Sequence, residues 1–92
     1  MYNDNEVTLV FSDNTYKEII CGTFESANKN GILQAIRNIA TQRGYKIYYF
    51  QYSFDKEEIM VDFGSHTEFF FVRGSEKAIN VFVKALHGET TK

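Results

Sequence analysis

Tyr45–Arg73, YKIYYFQYSFDKEEIMVDFGSHTEFFFVR, decides the fold, because it holds most of the chain's six tyrosines and nine phenylalanines and reads as three consecutive strands joined by two tight turns. The middle strand, Glu58–Phe63, alternates cleanly: Ile59, Val61 and Phe63 lie on one face and Glu58, Met60 and Asp62 on the other. That alternation sets the register of its neighbours, since a slip of one residue turns every side chain over. A two-residue loop at Asp55-Lys56 puts Tyr48, Phe50 and Tyr52 of the strand Tyr45–Phe54 on the core face and turns Tyr45, Ile47, Tyr49, Gln51 and Ser53 away from it. The second turn offers a choice. A two-residue Gly64-Ser65 loop sends His66, Glu68 and Phe70 to the core face. A three-residue Gly64-Ser65-His66 loop sends Thr67, Phe69 and Phe71 there and turns Glu68 out. Burying an unpaired carboxylate is costly, so the three-residue loop is expected for the strand Thr67–Arg73.

On either side of this block the signals are local. Ile32, Leu33, Ile36, Ile39 and Ala40 recur at the spacing of one helical face. Ser26, Asn28 and Asn30 are all candidate caps for this helix, and Gly44 supplies its left-handed end. Gly31 is costly deep in a helix, which puts the regular part from about Asn30. A second helix is expected over Ser75–His87, with Ser75 as cap and Ala78, Ile79, Phe82, Ala85 and Leu86 as its buried stripe. Upstream, Glu6–Phe11 alternates, Ser12-Asp13-Asn14-Thr15 is turn chemistry, and Tyr16–Phe24 is rich in β-branched and aromatic residues, so the chain opens with a hairpin. Gly22 within it marks a bulge or a close backbone approach. The order β-β-α-β-β-β-α, with two amphipathic helices that each need a sheet to cover, predicts an α+β fold. Its form is a two-layer sandwich, an antiparallel sheet with both helices on one face. The 92 residues are expected to form a single domain, with flexible ends at 1–5 and 89–92.

Composition narrows the function classes. A formal charge of −2 gives no general attraction for nucleic acid or an anionic membrane. From Ser26 to Phe54, however, the charged residues are Lys29, Arg37, Arg43 and Lys46, with no acid among them. The one cysteine, Cys21, cannot form an intramolecular disulfide and reads as a small buried hydrophobe; without a base or an electropositive setting nearby it is not a nucleophile candidate. No basic-then-apolar leader and no bilayer-length apolar run is visible, so an intracellular, cytoplasmic protein is expected. Abundant Asn, Lys, Ile, Tyr and Phe, with no Pro and no Trp, is what AT-rich coding sequence tends to specify. Short proteins so composed are often encoded by phages or mobile elements, where modulating or inhibiting a host protein is a common task.

His66 and His87 stand in a turn and at a helix end without ligand spacing around them, and no metal site or cofactor is expected. His66 is within reach of Asp62 or Glu68 across the hairpin. Glu58, Asp62 and Glu68, on the outer face of the last two strands, form either a solvated rim or a small-ligand or cation site. The stronger feature is the outer sheet face itself. Tyr45, Ile47, Tyr49, Met60, Phe70 and Val72, rimmed by Gln51, Glu58, Asp62 and Glu68, make a large apolar area. Aromatic and Met residues within a polar rim have the make-up of an interface core. Either the N-terminal hairpin folds over this face or a partner does.

From Asn30 to Gly88 the order α-β-β-β-α is similar to that of double-stranded-RNA-binding domains, and GSEKAINVFVKAL (Gly74–Leu86) resembles the alanine-containing second helix of that family. The resemblance implies a sheet with both helices on one face and, as an activity, RNA binding. That family grips phosphates with a lysine cluster at the start of its second helix; here the position offers only Lys77, beside Glu76. Its Gly-Pro hairpin is absent, and the leading hairpin is extra. The resemblance therefore carries the topology rather than the function. The expected function is that of a non-enzymatic binding protein, presenting its aromatic sheet face to itself as a homodimer or to another protein. Nucleic-acid binding through Lys29, Arg37, Arg43 and Lys46 is the alternative.

Overall fold

The structure is a computed structural model and describes residues 4–88. The strands are β1 (Glu6–Ser12), β2 (Glu18–Glu25), β3 (Gln51–Phe54), β4 (Glu58–Asp62) and β5 (Phe69–Arg73); the helices are α1 (Lys29–Gln42) and α2 (Glu76–Gly88). The strands form one antiparallel sheet in the order β2-β1-β5-β4-β3. The β-β-α-β-β-β-α order and the α+β class are those the periodicities predict.

Both helices are capped as their sequences indicate. The Asn28 side chain accepts from the Gly31 N–H at 3.0 Å, which places Gly31 in the first turn and not deep in the helix. A Cβ there would lie 2.4 Å from the Asn28 carboxamide, so the glycine makes room for the cap. At the far end Gly44 takes φ 88°, a left-handed stop. The Ser75 hydroxyl accepts from the Ala78 N–H at 3.1 Å and opens α2. Ile32, Ile36 and Ala40 of α1 and Ala78, Ile79 and Phe82 of α2 join Val7, Leu9, Phe11, Ile59, Val61, Phe63, Phe70 and Val72 in one buried cluster, so both helices cover the same sheet face.

The hairpin turn is built by Asp13, whose Oδ1 accepts from the Thr15 and Lys17 N–H groups and the Thr15 hydroxyl. β1 does not fold over the sheet. It pairs along β5, with Leu9 opposite Val72 and Phe11 opposite Phe70, and becomes an interior strand. β2 continues the sheet beyond it and forms one edge, with a bulge at Cys21, since Leu9 pairs Gly22 and Val10 pairs Ile20. The Asn5 carbonyl accepts from the Ser26 N–H at 2.8 Å. Of the positions expected to be flexible, 1–3 and 89–92 lie outside the described residues.

The Asp55-Lys56 loop is longer than the two residues expected, since Phe54 pairs Ile59; the shift is by two, so the residues of β3 keep their faces. Two larger expectations from the aromatic block also need correction. First, β3 begins at Gln51 and not at Tyr45. The end of α1 lies over β1, with the Arg43 guanidinium 4.7 Å from the Phe11 ring, while β3 is the opposite edge. Residues 45–50 therefore cross the sheet instead of extending along it. Tyr45 packs against Phe11 and Phe63 with ring centroids 6.2 and 5.7 Å away, and Ile47 and Phe50 pack on the same core cluster. The Tyr48 side chain, expected in the core, is 69% exposed, while its N–H is tied to the Phe63 carbonyl.

Second, β5 is turned over relative to the expectation. Val61 pairs Phe70 and Ile59 pairs Val72, so Phe70 and Val72 are fully buried on the helix side, while Phe69 and Phe71 lie on the outer face, partly exposed. Glu68 is buried too, at 6% exposure, but not unpaired: the hydroxyls of Ser65 and Thr67 both donate to its Oε1. Those donors remove the penalty on which the three-residue loop rests.

The register has a direct test. Phe70→Ala should lower stability by about 3–5 kcal/mol in a urea titration, the usual range for a fully buried Phe. Phe69→Ala should cost roughly half of that or less. The opposite ranking would restore the other register.

Candidate functional site

Because β1 and β2 prolong the sheet in its own plane, the face opposite the helices runs across all five strands. The pairings lay out three rows on it. Ile20, Val10, Phe71, Met60 and Ser53 form the central row. Glu18, Ser12 and Phe69 flank it on one side, and Thr23, Thr8, Arg73 and Glu58 on the other.

Burial along the central row is uneven. Val10, with a strand on each side, is 3% exposed; Ile20, on the edge strand, is 74% exposed. Arg73 reaches over the row. Its guanidinium stands 4.7 Å from the Phe71 centroid, makes two 2.8 Å bonds to the Glu18 carboxylate and one of 2.7 Å to Glu58. This ties β2 to β4 across two intervening strands. The Arg73 hydrogen bonds hold the Glu18 carboxyl below its ordinary value, and Glu18 in turn helps push Arg73 further up.

Of the six apolar residues expected on this face, the structure leaves only Met60 there. Phe70 and Val72 belong to the helix-side core because of the register change. Tyr45 and Ile47 belong to the crossing segment and pack on the core cluster. Tyr49, 43% exposed, is not in the sheet, and its hydroxyl bonds His66 Nε2 at 3.2 Å. Among the rim residues, Gln51 is exposed on β3, Glu58 is paired with Arg73, Asp62 is buried against the turn, and Glu68 shares a face with Phe70. The residues that do form the face, Ile20, Val10, Phe69, Phe71 and Arg73, carried one sequence signal: in both VTLVF and FFFVR, apolar residues occupy both parities, as in strands with neighbours on each face.

The three carboxylates Glu58, Asp62 and Glu68 are not brought together. Asp62 is consumed by its own turn, where Oδ1 accepts from the Gly64 and His66 N–H groups and Oδ2 lies 3.0 Å from His66 Nδ1. With Nδ1 protonated toward Asp62, His66 Nε2 accepts from the Tyr49 hydroxyl. This Asp62–His66–Tyr49 chain fixes an imidazole whose residue sits at φ 68°, a left-handed conformation that costs a non-glycine residue energy. It fastens the crossing segment to the β4–β5 turn. Among the described residues, no group of three or more His, Cys, Asp or Glu is placed to hold a metal ion.

Of the basic candidates, Arg37, Arg43 and Lys46 are exposed and Lys29 is not. Lys29 is buried at 8% exposure; Arg37 stands 4.9 Å from the Phe50 centroid and Arg43 over Phe11; Lys46 is exposed. Among the described residues, no helix is long and apolar enough to cross a membrane. Comparison of the chain with protein-family models, with curated proteins and with solved structures finds no match.

Two outcomes test the turn. Ser65→Ala removes a donor to buried Glu68 and should lower stability by ~1–3 kcal/mol in chemical denaturation; wild-type stability would show that Ser65 does not hold the register. Burial first, and then the Glu68 carboxylate, push the Tyr45 phenol up. The folded chain thus keeps this proton more firmly than the unfolded one. Its stabilisation is complete below the unfolded phenol value of ~10 and is lost as pH rises through the folded value. Between pH ~9 and ~11 the urea midpoint of Tyr45→Phe should fall less than that of wild type.

Proposed function

We propose that this chain is a non-enzymatic protein-binding module of the cytoplasm, and that its docking surface is the outer sheet face ending at the β2 edge. The observation that carries this reading is the course of the hairpin. Folded back, the hairpin would cover the outer face; it extends the sheet instead. The face keeps Met60, Phe69 and Phe71 partly exposed and Ile20 mostly exposed, with Arg73, Glu18 and Glu58 around them. Aromatic, Met and Arg side chains are the types enriched at interface centres. With one cysteine, Cys21, the sequence has no disulfide framework of its own, which suits a reducing compartment.

Nucleic-acid binding is less well supported. It needs several lysine and arginine side chains free to meet phosphates. Here Lys29 is buried, the exposed Arg37 and Arg43 lie over aromatic rings, and only Lys46 is both exposed and without a ring contact among those described.

The surface can be tested by capture. Ile20 is exposed, so Ile20→Glu should leave the circular-dichroism spectrum and urea midpoint unchanged. Wild-type protein used as bait in its native cells should recover a partner that the folded Ile20→Glu protein recovers at least roughly tenfold less well, the loss expected when a central contact becomes a buried charge. Light scattering at the same concentrations tells whether that partner is a second copy. Equal recovery by both baits, or none by either, overturns the proposed surface.

A further inference from the structure

Resting on this reading of the outer face, we propose that the occupant of the β2 edge is an extended segment of a different protein. It adds as a sixth strand, with an apolar side chain beside Ile20 and a Lys or Arg at each end, over Glu18 and Glu25.

The exposure gradient along the central row shows what is missing. Phe71 and Val10 each have a strand on both sides; Phe71 is partly exposed and Val10, on the strand that the Arg73–Glu18 pair crosses, is 3% exposed, while Ile20 has a strand on one side only and is 74% exposed. One more strand gives Ile20 the lateral neighbour that Val10 already has. β2 is also the longer of the two edges, eight residues against four for β3, and contains no proline. An edge of that kind is a template for strand addition, in which the backbone supplies affinity and alternate side chains supply specificity.

Charge decides which strand fits. The bulge at Cys21 leaves Glu18, Ile20, Thr23 and Glu25 on the outer face, opposite Ser12, Val10, Thr8 and Glu6. If β2 of a second copy paired antiparallel across a two-fold axis, the register that keeps outer residues against outer residues along the whole strand would set Ile20 against Thr23. It would also set Glu18 against Glu25 at both ends. Like charges directly opposite each other are destabilising. The surroundings do not relieve this. Arg73 is shared between Glu18 and Glu58, which leaves that corner net negative, and Glu25 already faces Glu6 on β1. A second copy is therefore disfavoured on this edge, whereas a segment with cations spaced as Glu18 and Glu25 are meets two acidic ends.

The experiment uses isotope-labelled full chain and two synthetic peptides. Each has an alternating Thr-Val centre, one flanked by lysines and the other by glutamates at the Glu18–Glu25 spacing. The lysine-ended peptide should shift the amide resonances of β2 and slow their hydrogen exchange. It should bind roughly tenfold more tightly than the glutamate-ended one, from two oppositely signed end contacts. Glu25→Lys, which also removes the Glu25–Glu6 repulsion, should shrink that preference severalfold without loss of fold. Equal binding of the two peptides, or none by either, overturns the proposal. So does protection of β2 amides that grows with protein concentration alone, which would make the occupant a second copy. Shifts confined to Met60, Phe69 and Phe71 would also overturn it, while leaving the outer face standing as a docking surface.

Discussion

Glu68 lies on the same side as Phe70 at 6% exposure, and the hydroxyls of Ser65 and Thr67 keep its carboxylate there. Ser65 Oγ also accepts from the Glu68 N–H at 3.0 Å, so the turn and the carboxylate share one small network. Much of the sheet hangs on it. In the run FFFV, apolar side chains occupy both faces, and hydrophobicity alone is nearly indifferent to a slip of one residue. The polar turn breaks that near-degeneracy. Once Glu68 and Phe70 share the helix side, Phe70 meets Phe11 and Phe63 at 5.0 and 5.7 Å between ring centroids, and β1 finds its pairing along β5.

How far the sequence could be read follows from the same contrast. Where one face is apolar and the other polar, as in EIMVD or the stripe of Ile32, Ile36 and Ala40, periodicity places each side chain correctly. Where both are apolar it does not, and the decision passes to a hydrogen bond between side chains three residues apart, which no periodicity reveals. Tyr45–Phe50 failed for a different reason. Its β-forming composition is real, but a chain leaving α1 above β1 must traverse the sheet to reach the far edge, and tertiary connectivity overrides local propensity. Met60 was the one apolar outer-face residue read correctly, with Glu58 on the same strand, because that strand alternates. The other members were hidden in strands without alternation, and Arg73 was hidden because its partners, Glu18 and Glu58, are distant in sequence.

The interior position of β1 changes what the outer face is. A hairpin folded over it would have made the aromatic residues a second core. Instead, Val10 is 3% exposed between Ile20 and Phe71, on the strand that the Arg73–Glu18 pair crosses. The face is thus partly self-covered at its centre, where Arg73 lies over Phe71, and least covered at the β2 edge. On the proposed reading, docking strength concentrates toward that edge. At the centre, a partner must first compete with a guanidinium already engaged by two carboxylates.

An open edge of eight residues is also a hazard, because any exposed strand can complete it. This chain manages the hazard with a bulge at Cys21 and with acids at both ends of β2. Neither device closes the edge. The bulge leaves one register in which outer residues face outer residues, and the acids penalise that register for the chain's own β2. What repels a copy of the chain attracts a strand of opposite end charge, so a single arrangement of Glu18 and Glu25 would serve both solubility and selection.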